Sequence, residues 1–350
     1  MTRLGALRLE GAALFAGGAI AVALLAAPSI ASAGSPCVVI NARTRTHYDA
    51  LQAAVTDAAA GDRLRVSGVC NGTTVVDRKL VLQGAPGASE RPVLDGGDAG
   101  RVLEIASGVT VRVEGLAISN GRVRGAVGGG IRNDGTLTLT DVVVSSNRAD
   151  DGGGIYSTGE LLLKGATVVK RNRAKGDDGG GIYLGGGKLT MTDASTVHHN
   201  TALRGGGGIY AVGADVTLDG TTSVHDNEAT TGGGGIYVEL GATLAASGSS
   251  AIHDNVAGEN GGGVFDNSSM TMSEASSVEN NTAGARGGGV FVGCSAALTG
   301  ADAGGNVRGN QRATRPATAA SSISTTACSS SAIICCRASR RTSACTQPDP

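Results

Sequence analysis

The chain has 350 residues, of which 58 are glycine and eight are aromatic, and its 29 basic and 30 acidic side chains nearly cancel. The balance hides a split, because residues 34–305 carry 21 basic against 28 acidic side chains, while the last 45 residues carry six arginines and one acid. This net-acidic body excludes a nucleic-acid-binding protein of the usual basic kind, and it disfavours binding to a polyanion such as pectate unless a cation bridges the two.

Residues 1–33 are typical of a secretory signal peptide. Arg3 and Arg8 give a basic start, and they are followed by an apolar run at 12–27 and an A-x-A cleavage site at 31–33. The run is shorter than a membrane span needs. We therefore expect a secreted, extracellular or cell-surface protein without a stable membrane span after signal removal; an uncleaved anchor is the alternative.

The next segment, 34–61, predicts an N-terminal cap. Its residues 46–49, Thr-His-Tyr-Asp, resemble a capping box. Apolar residues at helical spacing follow, namely Leu51, Ala54, Val55 and Ala58. Gly61 ends this pattern, so we expect a short amphipathic helix that plugs the first coil of the repeat region that follows.

Two cysteines, Cys37 and Cys70, flank the predicted helix. In an exported protein such a pair suggests a disulfide, which here would fix the cap to the first coil. Two buried free thiols are the alternative.

A triple-glycine block recurs through the middle of the chain. The blocks precede Ile131, Ile155, Ile182, Ile209, Ile236, Val264 and Val290, at intervals of 24, 27, 27, 27, 28 and 26 residues. A constant period of this length is typical of a solenoid, in which each repeat forms one coil that buries its face only against its neighbours.

Each repeat contains short alternating apolar segments, which predict strands and not helices. The first apolar residue follows the glycine block, an alternating pair such as Leu161 and Leu163 comes next, and a [VI]-x-x-N-x-A segment closes the repeat. We expect three strands in each coil, each paired with its copy one coil away at about 4.8 Å.

Stacking of coils turns each repeat position into a column. The asparagine column contains Asn147, Asn172, Asn200, Asn227, Asn255 and Asn281. We expect these side-chain amides to bond from coil to coil, and asparagine also tolerates the left-handed conformation of a tight turn. An alanine stands two residues after each asparagine, where a corner leaves little room for a side chain.

With these motifs the chain resembles the right-handed parallel β-helix proteins of the pectin lyase-like superfamily, over residues 62–305. Its GG[IV] blocks also resemble the repeats of polymorphic outer-membrane proteins, which are adhesins that couple such blocks to F-x-x-N where this chain has [VI]-x-x-N. The resemblance implies an all-β, right-handed parallel β-helix of about nine coils. It does not fix a chemistry, because one fold hosts many functions.

The first candidate site is acidic. Asp150 and Asp151 stand before one glycine block, and Asp177 and Asp178 stand at the same places before the next. Stacking would bring four carboxylates together, which suits Ca²⁺ or an acid and base for glycoside cleavage. Arg204 follows in the same column and could neutralise them, so a solvated turn is the alternative. Of the N-T-D, D-D, G-H-G and R-I-K motifs of polygalacturonase-type enzymes, only D-D occurs here.

A second candidate is a polar column on the last strand, made of Lys170, His198, His225, His253 and Glu279. Histidines on neighbouring coils could bind Zn²⁺. The column also contains lysine and glutamate, so a solvent-facing surface without a metal is the alternative.

The third candidate is aromatic. Apart from Tyr48, every aromatic residue after the signal follows a glycine block directly: Tyr156, Tyr183, Tyr210, Tyr237, Phe265 and Phe291. This column alternates with inward aliphatic residues and should face outward beside a glycine strip. It could stack on sugar rings or contact a partner protein, or the rings could simply stack on one another.

The pattern fails near Asn306, and no glycine follows Gly309. We expect residues 306–350 to be a low-complexity, disordered tail; translation out of frame of further coils is the alternative. From the whole sequence we expect no catalytic residues and no cofactor, with Ca²⁺ at the acidic site as the alternative. We expect a polysaccharide or surface protein as partner, and no nucleic acid. The leading functional hypothesis is a non-catalytic, adhesin-like binding protein, and the alternative is a Ca²⁺-dependent lyase or glycoside hydrolase acting on acidic polysaccharide.

Overall fold

A computed structural model describes residues 29–30, 34–293, 296–299, 307–312 and 333–335. Most of the expected signal segment and of the expected tail lies outside these residues. Within them the chain winds into a parallel solenoid of about nine coils, which confirms the predicted fold class. None of the helices in the described ranges is long and apolar enough to cross a membrane.

Four sheets run along the solenoid, where three were expected, and we number them in the order in which a coil visits them after its glycine block. Sheet 1 consists of Thr74–Val76, Leu103–Ile105, Ile131–Asn133, Ile155–Ser157, Ile182–Leu184, Ile209–Ala211, Ile236–Val238, Val264–Asp266, Val290–Val292 and Ile333–Cys335. Sheet 2 consists of His47–Tyr48, Val38–Asn41, Arg63–Ser67, Leu80–Gly84, Thr110–Glu114, Thr136–Thr140, Glu160–Lys164, Lys188–Met191, Asp215–Leu218, Thr243–Ala246, Ser269–Met272 and Ala297–Thr299.

Sheet 3 consists of Val69–Asn71, Val93–Asp95, Ala117–Ser119, Val143–Ser145, Val168–Lys170, Thr196–His198, Ser223–His225, Ala251–His253, Ser277–Glu279 and Val307–Arg308. Sheet 4 consists of Arg148–Ala149, Arg173–Ala174, Thr201–Ala202, Glu228–Ala229, Val256–Ala257, Thr282–Ala283 and Gln311–Arg312. Sheet 4 is the one that sequence alternation does not reveal, because its strands are only two residues long. A separate pair joins Ser29–Ile30 to Glu90–Arg91.

The core is a set of aliphatic columns inside the coil. Ile155 pairs in register with Ile182 on sheet 1, and Leu161 pairs with Leu189 on sheet 2. These side chains are buried, and they contact the valines of sheet 3 such as Val169 in one continuous cluster. Burying a Val, Leu or Ile side chain contributes about 1.5–3 kcal/mol, and the repeat supplies several in every coil.

The expected asparagine ladder is confirmed, and it extends to Asn310. Each Asn side-chain N–H donates to the Oδ1 of the asparagine one coil on, at 2.9–3.0 Å, from Asn147 to Asn310. The sequence analysis assigned the left-handed conformation to the asparagine, but the residue before it adopts that conformation. These residues have φ between 52° and 61°: Ser146, Arg171, His199, Asp226, Asp254 and Asn280. The turn is thus made one residue earlier, which leaves the asparagine free to point into the coil.

The glycine blocks are required by two different contacts. The first glycine of each block has a positive φ, as at Gly179 with φ 67°. The third glycine lies against the asparagine ladder: a Cβ on Gly181 would lie 2.6 Å from the carbonyl oxygen of Gly208 and 2.9 Å from Nδ2 of Asn200. A side chain at the first position would be strained, and one at the third would collide with backbone.

The N-terminal cap is a helix combined with a hairpin. The helix Leu51–Asp57 buries Leu51, Ala54 and Val55 against the first coil, as the sequence predicts. The expected capping box is wrong, because Ala50 is the N-cap and no side chain caps the helix. Its residues His47–Tyr48 instead pair antiparallel with Val38–Asn41, which in turn covers the edge of Arg63–Ser67. A disulfide joins Cys37 to Cys70, as expected, and fixes this cap to the first strand of sheet 3.

Candidate functional site

The aromatic column lies on the outer face of sheet 1, as expected. Tyr183, for example, pairs in register with Tyr210 and alternates with fully buried Ile182 and Leu184. The strand direction alternates side chains between core and solvent, so the repeated I-Y order places every ring on the same outer face. All six rings are half-buried: Tyr156, Tyr183, Tyr210, Tyr237, Phe265 and Phe291.

These six rings form one continuous stack, which we call the aromatic stack. Successive ring centroids are 5.2, 5.1, 5.0, 4.5 and 4.9 Å apart, and neighbouring planes lie within 30° of parallel. Each interior ring therefore has another ring over both of its faces. Because a sugar stacks on a ring face, this arrangement leaves ring edges and hydroxyl groups for a partner.

Glycines flank the aromatic stack, and the rings pack closely against their backbone. A Cβ on Gly205 would lie 2.8 Å from Cδ2 of Tyr237, and one on Gly232 would lie 2.9 Å from Cδ2 of Phe265. The expected glycine strip beside the rings is therefore present. It explains why rings on an outer face are only half exposed.

A polar group anchors the middle of the stack. The hydroxyl of Tyr210 donates to Oε2 of Glu239 at 3.2 Å, and the amide of Asn267 donates to Oε1 of the same carboxylate at 3.1 Å. Burial raises the pKa of Tyr183 to about 12, with the nearby Asp151 carboxylate adding to the effect. Burial, and then Asp178, raises the pKa of Tyr210 as well. The hydroxyls are therefore neutral hydrogen-bonding groups at ordinary pH.

The four aspartates of the acidic candidate site lie on adjacent coils, and three of them have separate partners. Oδ1 of Asp151 accepts the backbone N–H of Asp178 at 3.0 Å, and Oδ1 of Asp178 accepts that of Gly205 at 2.7 Å. Asp177 is paired with Arg204 at 3.2 Å. Arg204 thus neutralises one carboxylate of the cluster, as the alternative hypothesis expected.

No group of three or more His, Cys, Asp or Glu side chains within the described ranges is arranged to hold a metal ion. This applies to Asp150, Asp151, Asp177 and Asp178 as they stand here; backbone amides occupy one oxygen each of Asp151 and Asp178, and Arg204 occupies one of Asp177. Burial raises the pKa of Asp178 to about 6, and it also raises that of Asp151. Carboxyls with raised pKa values beside tyrosines and an arginine form a perturbed cluster of the kind found at functional sites.

The histidines of sheet 3 also stack. The rings of His198, His225 and His253 have centroids 4.8 and 4.9 Å apart and are nearly parallel. His225 and His253 each place Nδ1 within 2.8 Å of the following aspartate, Asp226 or Asp254. Burial, followed by the neighbouring His225 and His199, lowers the pKa of His198 to about 4. The imidazoles face one another and their aspartates, and do not converge on a common point for a metal.

One set of outer side chains was missed by sequence reasoning. Arg122, Arg148 and Arg173 occupy the same place on successive coils, in the column that sheet 4 continues. The signal was available in the recurrence of Arg-Ala after the asparagine of the repeat, at 148–149 and 173–174. These dipeptides are too short to show strand alternation, and the small alanine after the asparagine indicates a corner and not a strand.

Comparison with known proteins agrees with this geometry. The profile of a family described as right-handed beta helix region matches residues 107–311. No curated protein matches the chain, and no solved structure matches it.

Proposed function

The chain belongs to the right-handed beta helix family, and from this premise we propose that it is an exported, non-catalytic binding protein with an adhesin-like role outside the cell. The N-terminal basic start, apolar run and cleavage motif support export. A long, regular solenoid supports binding, since it offers extended surfaces on which the same side chain recurs at strand spacing.

The observation that carries the proposal is the aromatic stack. It spans six successive coils, its rings are half exposed, and glycines beside it remove competing side chains. Aromatic rings and tyrosine hydroxyls together are the groups most enriched at protein interfaces. Because the ring faces are covered by other rings, a surface protein fits this ribbon of ring edges better than a sugar chain does.

The test is a pull-down of surface proteins from the organism's target cells, quantified with purified wild-type and variant protein. We expect Tyr183→Leu with Phe265→Leu to weaken binding about fivefold or more, since each ring contributes on the order of 0.5–1.5 kcal/mol beyond its buried area. Leucine is apolar and similar in size, so it should preserve the fold. Circular dichroism and the melting temperature then show whether weaker binding comes from a lost contact or from unfolding.

The matched control is His198→Leu with His253→Leu, which removes two stacked rings from sheet 3. Equal weakening in both double variants, or full binding by a folded aromatic variant, would remove the aromatic stack from the binding site.

A second candidate function is supported by the perturbed carboxyls Asp151 and Asp178, whose raised pKa values suit an acid or base acting on a polysaccharide. In this hypothesis Ca²⁺ would have to displace Arg204 from Asp177 and bind Asp150, Asp151, Asp177 and Asp178. Ca²⁺ would then raise the melting temperature by binding only the folded state, and unsaturated products would form from pectate. Absence of both effects in the wild type, at millimolar Ca²⁺, would return the cluster to an ordinary acidic turn.

A further inference from the structure

A row of cations runs along the edge of the solenoid where sheet 4 begins. Arg122 forms a parallel bridge with Arg148, and Arg148 pairs in register with Arg173. Three guanidinium groups thus start from backbone positions one strand spacing apart, about 4.8 Å. Arg124 and Lys175 lie beside them, and we call these five residues, Arg122, Arg124, Arg148, Arg173 and Lys175, the basic ladder.

Within the described residues, no carboxylate is paired with the basic ladder. None of its five side chains forms a salt bridge or a side-chain hydrogen bond with another residue in the described part of the chain. Asp98 and Asp150 are close in the fold, yet neither is paired with a ladder residue. Four of the five are exposed, and only Arg122 is half-buried.

Like charges on directly adjacent strands destabilise a sheet, so this arrangement costs the free protein stability. Desolvation, followed by repulsion from the four arginines of the basic ladder, lowers the pKa of Lys175. A bound anion would relieve the repulsion, and it would find guanidinium forks that match oxyanions in a bidentate way.

The surroundings give the site a shape and a direction. A cavity of about 460 Å³ lies between the loop 98–100 and the segment 122–126, at the N-terminal end of the ladder. Toward the C-terminus the same column continues with Thr201 and Glu228, so the positive charge ends after Arg173. The result is a short cationic track that runs along the solenoid axis from a cavity.

We propose that the basic ladder binds a linear polysaccharide that carries sulfate or phosphate esters, laid parallel to the solenoid axis. One strand spacing is about the length of one sugar residue, so an ester on successive residues meets successive arginines. This site is independent of the aromatic stack and goes beyond the function proposed above. It also revises the expectation from net charge, since a polyanion can bind this end of an acidic body without a bridging cation.

A polysaccharide fits this surface better than a nucleic acid does. No aromatic side chain lies among the ladder residues to stack an unpaired base, as single-strand binding requires.

The experiment measures binding of the full chain to immobilised dextran sulfate, with neutral dextran as the blank, across a range of salt concentrations. We expect binding to dextran sulfate alone, weakening with salt. Arg148→Ser with Arg173→Ser should weaken it at least roughly tenfold, because two charge-assisted contacts are lost. The same variant should melt at an equal or higher temperature without ligand, since serine removes repulsion.

The matched control is Arg65→Ser with Arg112→Ser, which removes the same charge from two exposed positions on sheet 2. Less than a twofold change in this control supports the ladder as a specific site. Equal weakening in both double variants would show attraction by overall charge only, and would overturn the proposal. Tighter binding to an oligo-deoxythymidine, or to unsulfated polygalacturonate, than to dextran sulfate would overturn the assigned ligand class.

Discussion

The side chain of Asn172 donates an N–H to Oδ1 of Asn200 at 3.0 Å, and the backbone N–H of Asn172 donates to the same oxygen at 3.0 Å. The second amide hydrogen of Asn172 reaches the carbonyl of Val144 at 3.0 Å. Both asparagines are buried, and every polar atom of the side chain has a partner. One asparagine per coil therefore provides hydrogen-bond partners for backbone N–H and C=O groups of the turn that would otherwise be buried and unpaired.

The first prediction concerns Asn200→Ala. The change leaves the side-chain and backbone N–H groups of Asn172 buried without an acceptor, at a cost of about 1–3 kcal/mol for each. We expect the free energy of unfolding in urea to fall by about 2–5 kcal/mol. Asn267→Ala, at a half-buried asparagine with one side-chain bond to Glu239, is the control and should cost less than half as much. Equal losses would show that the ladder adds nothing beyond an ordinary polar contact.

The second prediction compares the two requirements for glycine, a close backbone contact and a positive φ. Gly181→Ala places a methyl 2.6 Å from a carbonyl oxygen, although φ at this position is not positive. Gly213→Ala meets nothing within 4 Å but has φ 57°. Strain at a positive φ costs about 1–2 kcal/mol, whereas the collision at Gly181 involves backbone that cannot move alone. Thermal melts should therefore show the larger loss for Gly181→Ala; the reverse order would contradict the packing argument.

The third prediction concerns a carboxyl buried in the core. Asp266 occupies a column position between Val238 and Val292, its Oδ2 has no partner among the described atoms, and burial raises its pKa to about 6. Its folded-state pKa exceeds the unfolded value, so stability falls as the pH rises from about 4 to 6. Asp266→Val should stabilise the protein by about 1–2 kcal/mol at pH 7.

The gain from Asp266→Val should shrink toward pH 4, where the native carboxyl is already neutral. Urea unfolding at pH 4, 5, 6 and 7 measures this dependence. A gain that is independent of pH would show that the carboxyl is neutral, or solvated, throughout.

The fourth prediction concerns His198, where stability falls as the pH falls and not as it rises. The pKa of His198 is lowered to about 4 in the stacked array, so the unfolded chain takes up its proton first as the pH falls from about 6.5 to 4. Stability is lost over that window. His198→Asn should reduce the acid sensitivity by about 1–2 kcal/mol, a figure discounted for the partial exposure of the ring. Urea unfolding between pH 4 and pH 7 measures this dependence, and the same pH profile in His198→Asn as in the wild type would sink the argument.

The fifth prediction concerns the link between Cys37 and Cys70. Closing a loop of this length restricts the unfolded chain by about 3–4 kcal/mol in the entropy model. Cys37→Ala with Cys70→Ala should lower stability by about that amount, and reductant should lower the wild type equally. If dithiothreitol leaves the wild-type melt unchanged, the bond contributes nothing to stability.

Recurrence explains which features could be predicted. The same residue type recurs at the positions of Asn200 and Ile182 in successive coils. The asparagine ladder and the inward face of sheet 1 could therefore be predicted directly from the sequence. The left-handed turn residue was assigned to the wrong position because its column contains residues as different as Ser146 and Arg171. The capping box failed because Tyr48 found a strand partner in Val39, and a tertiary contact overrode a local motif.

Charge was the hardest property to read from the sequence. Net charge described the acidic body correctly, but the positions of Arg148 and Arg173 depend on the register of strands too short to show any alternation. Likewise, the direction of the ring faces in the aromatic stack follows from contacts between coils. Properties that arise between coils are therefore visible only after the coils are stacked.

The in-register pairing of identical residues makes each coil an interchangeable part. Removing residues 182–208 would join Gly181 to Ile209, which already pairs with Ile182 and makes the same contacts. The protein would shorten by about 4.8 Å and lose one ring of the aromatic stack and one asparagine of the asparagine ladder, while both ends stayed as they are. The length of the solenoid can thus be changed by one strand spacing at a time, by adding or removing whole coils.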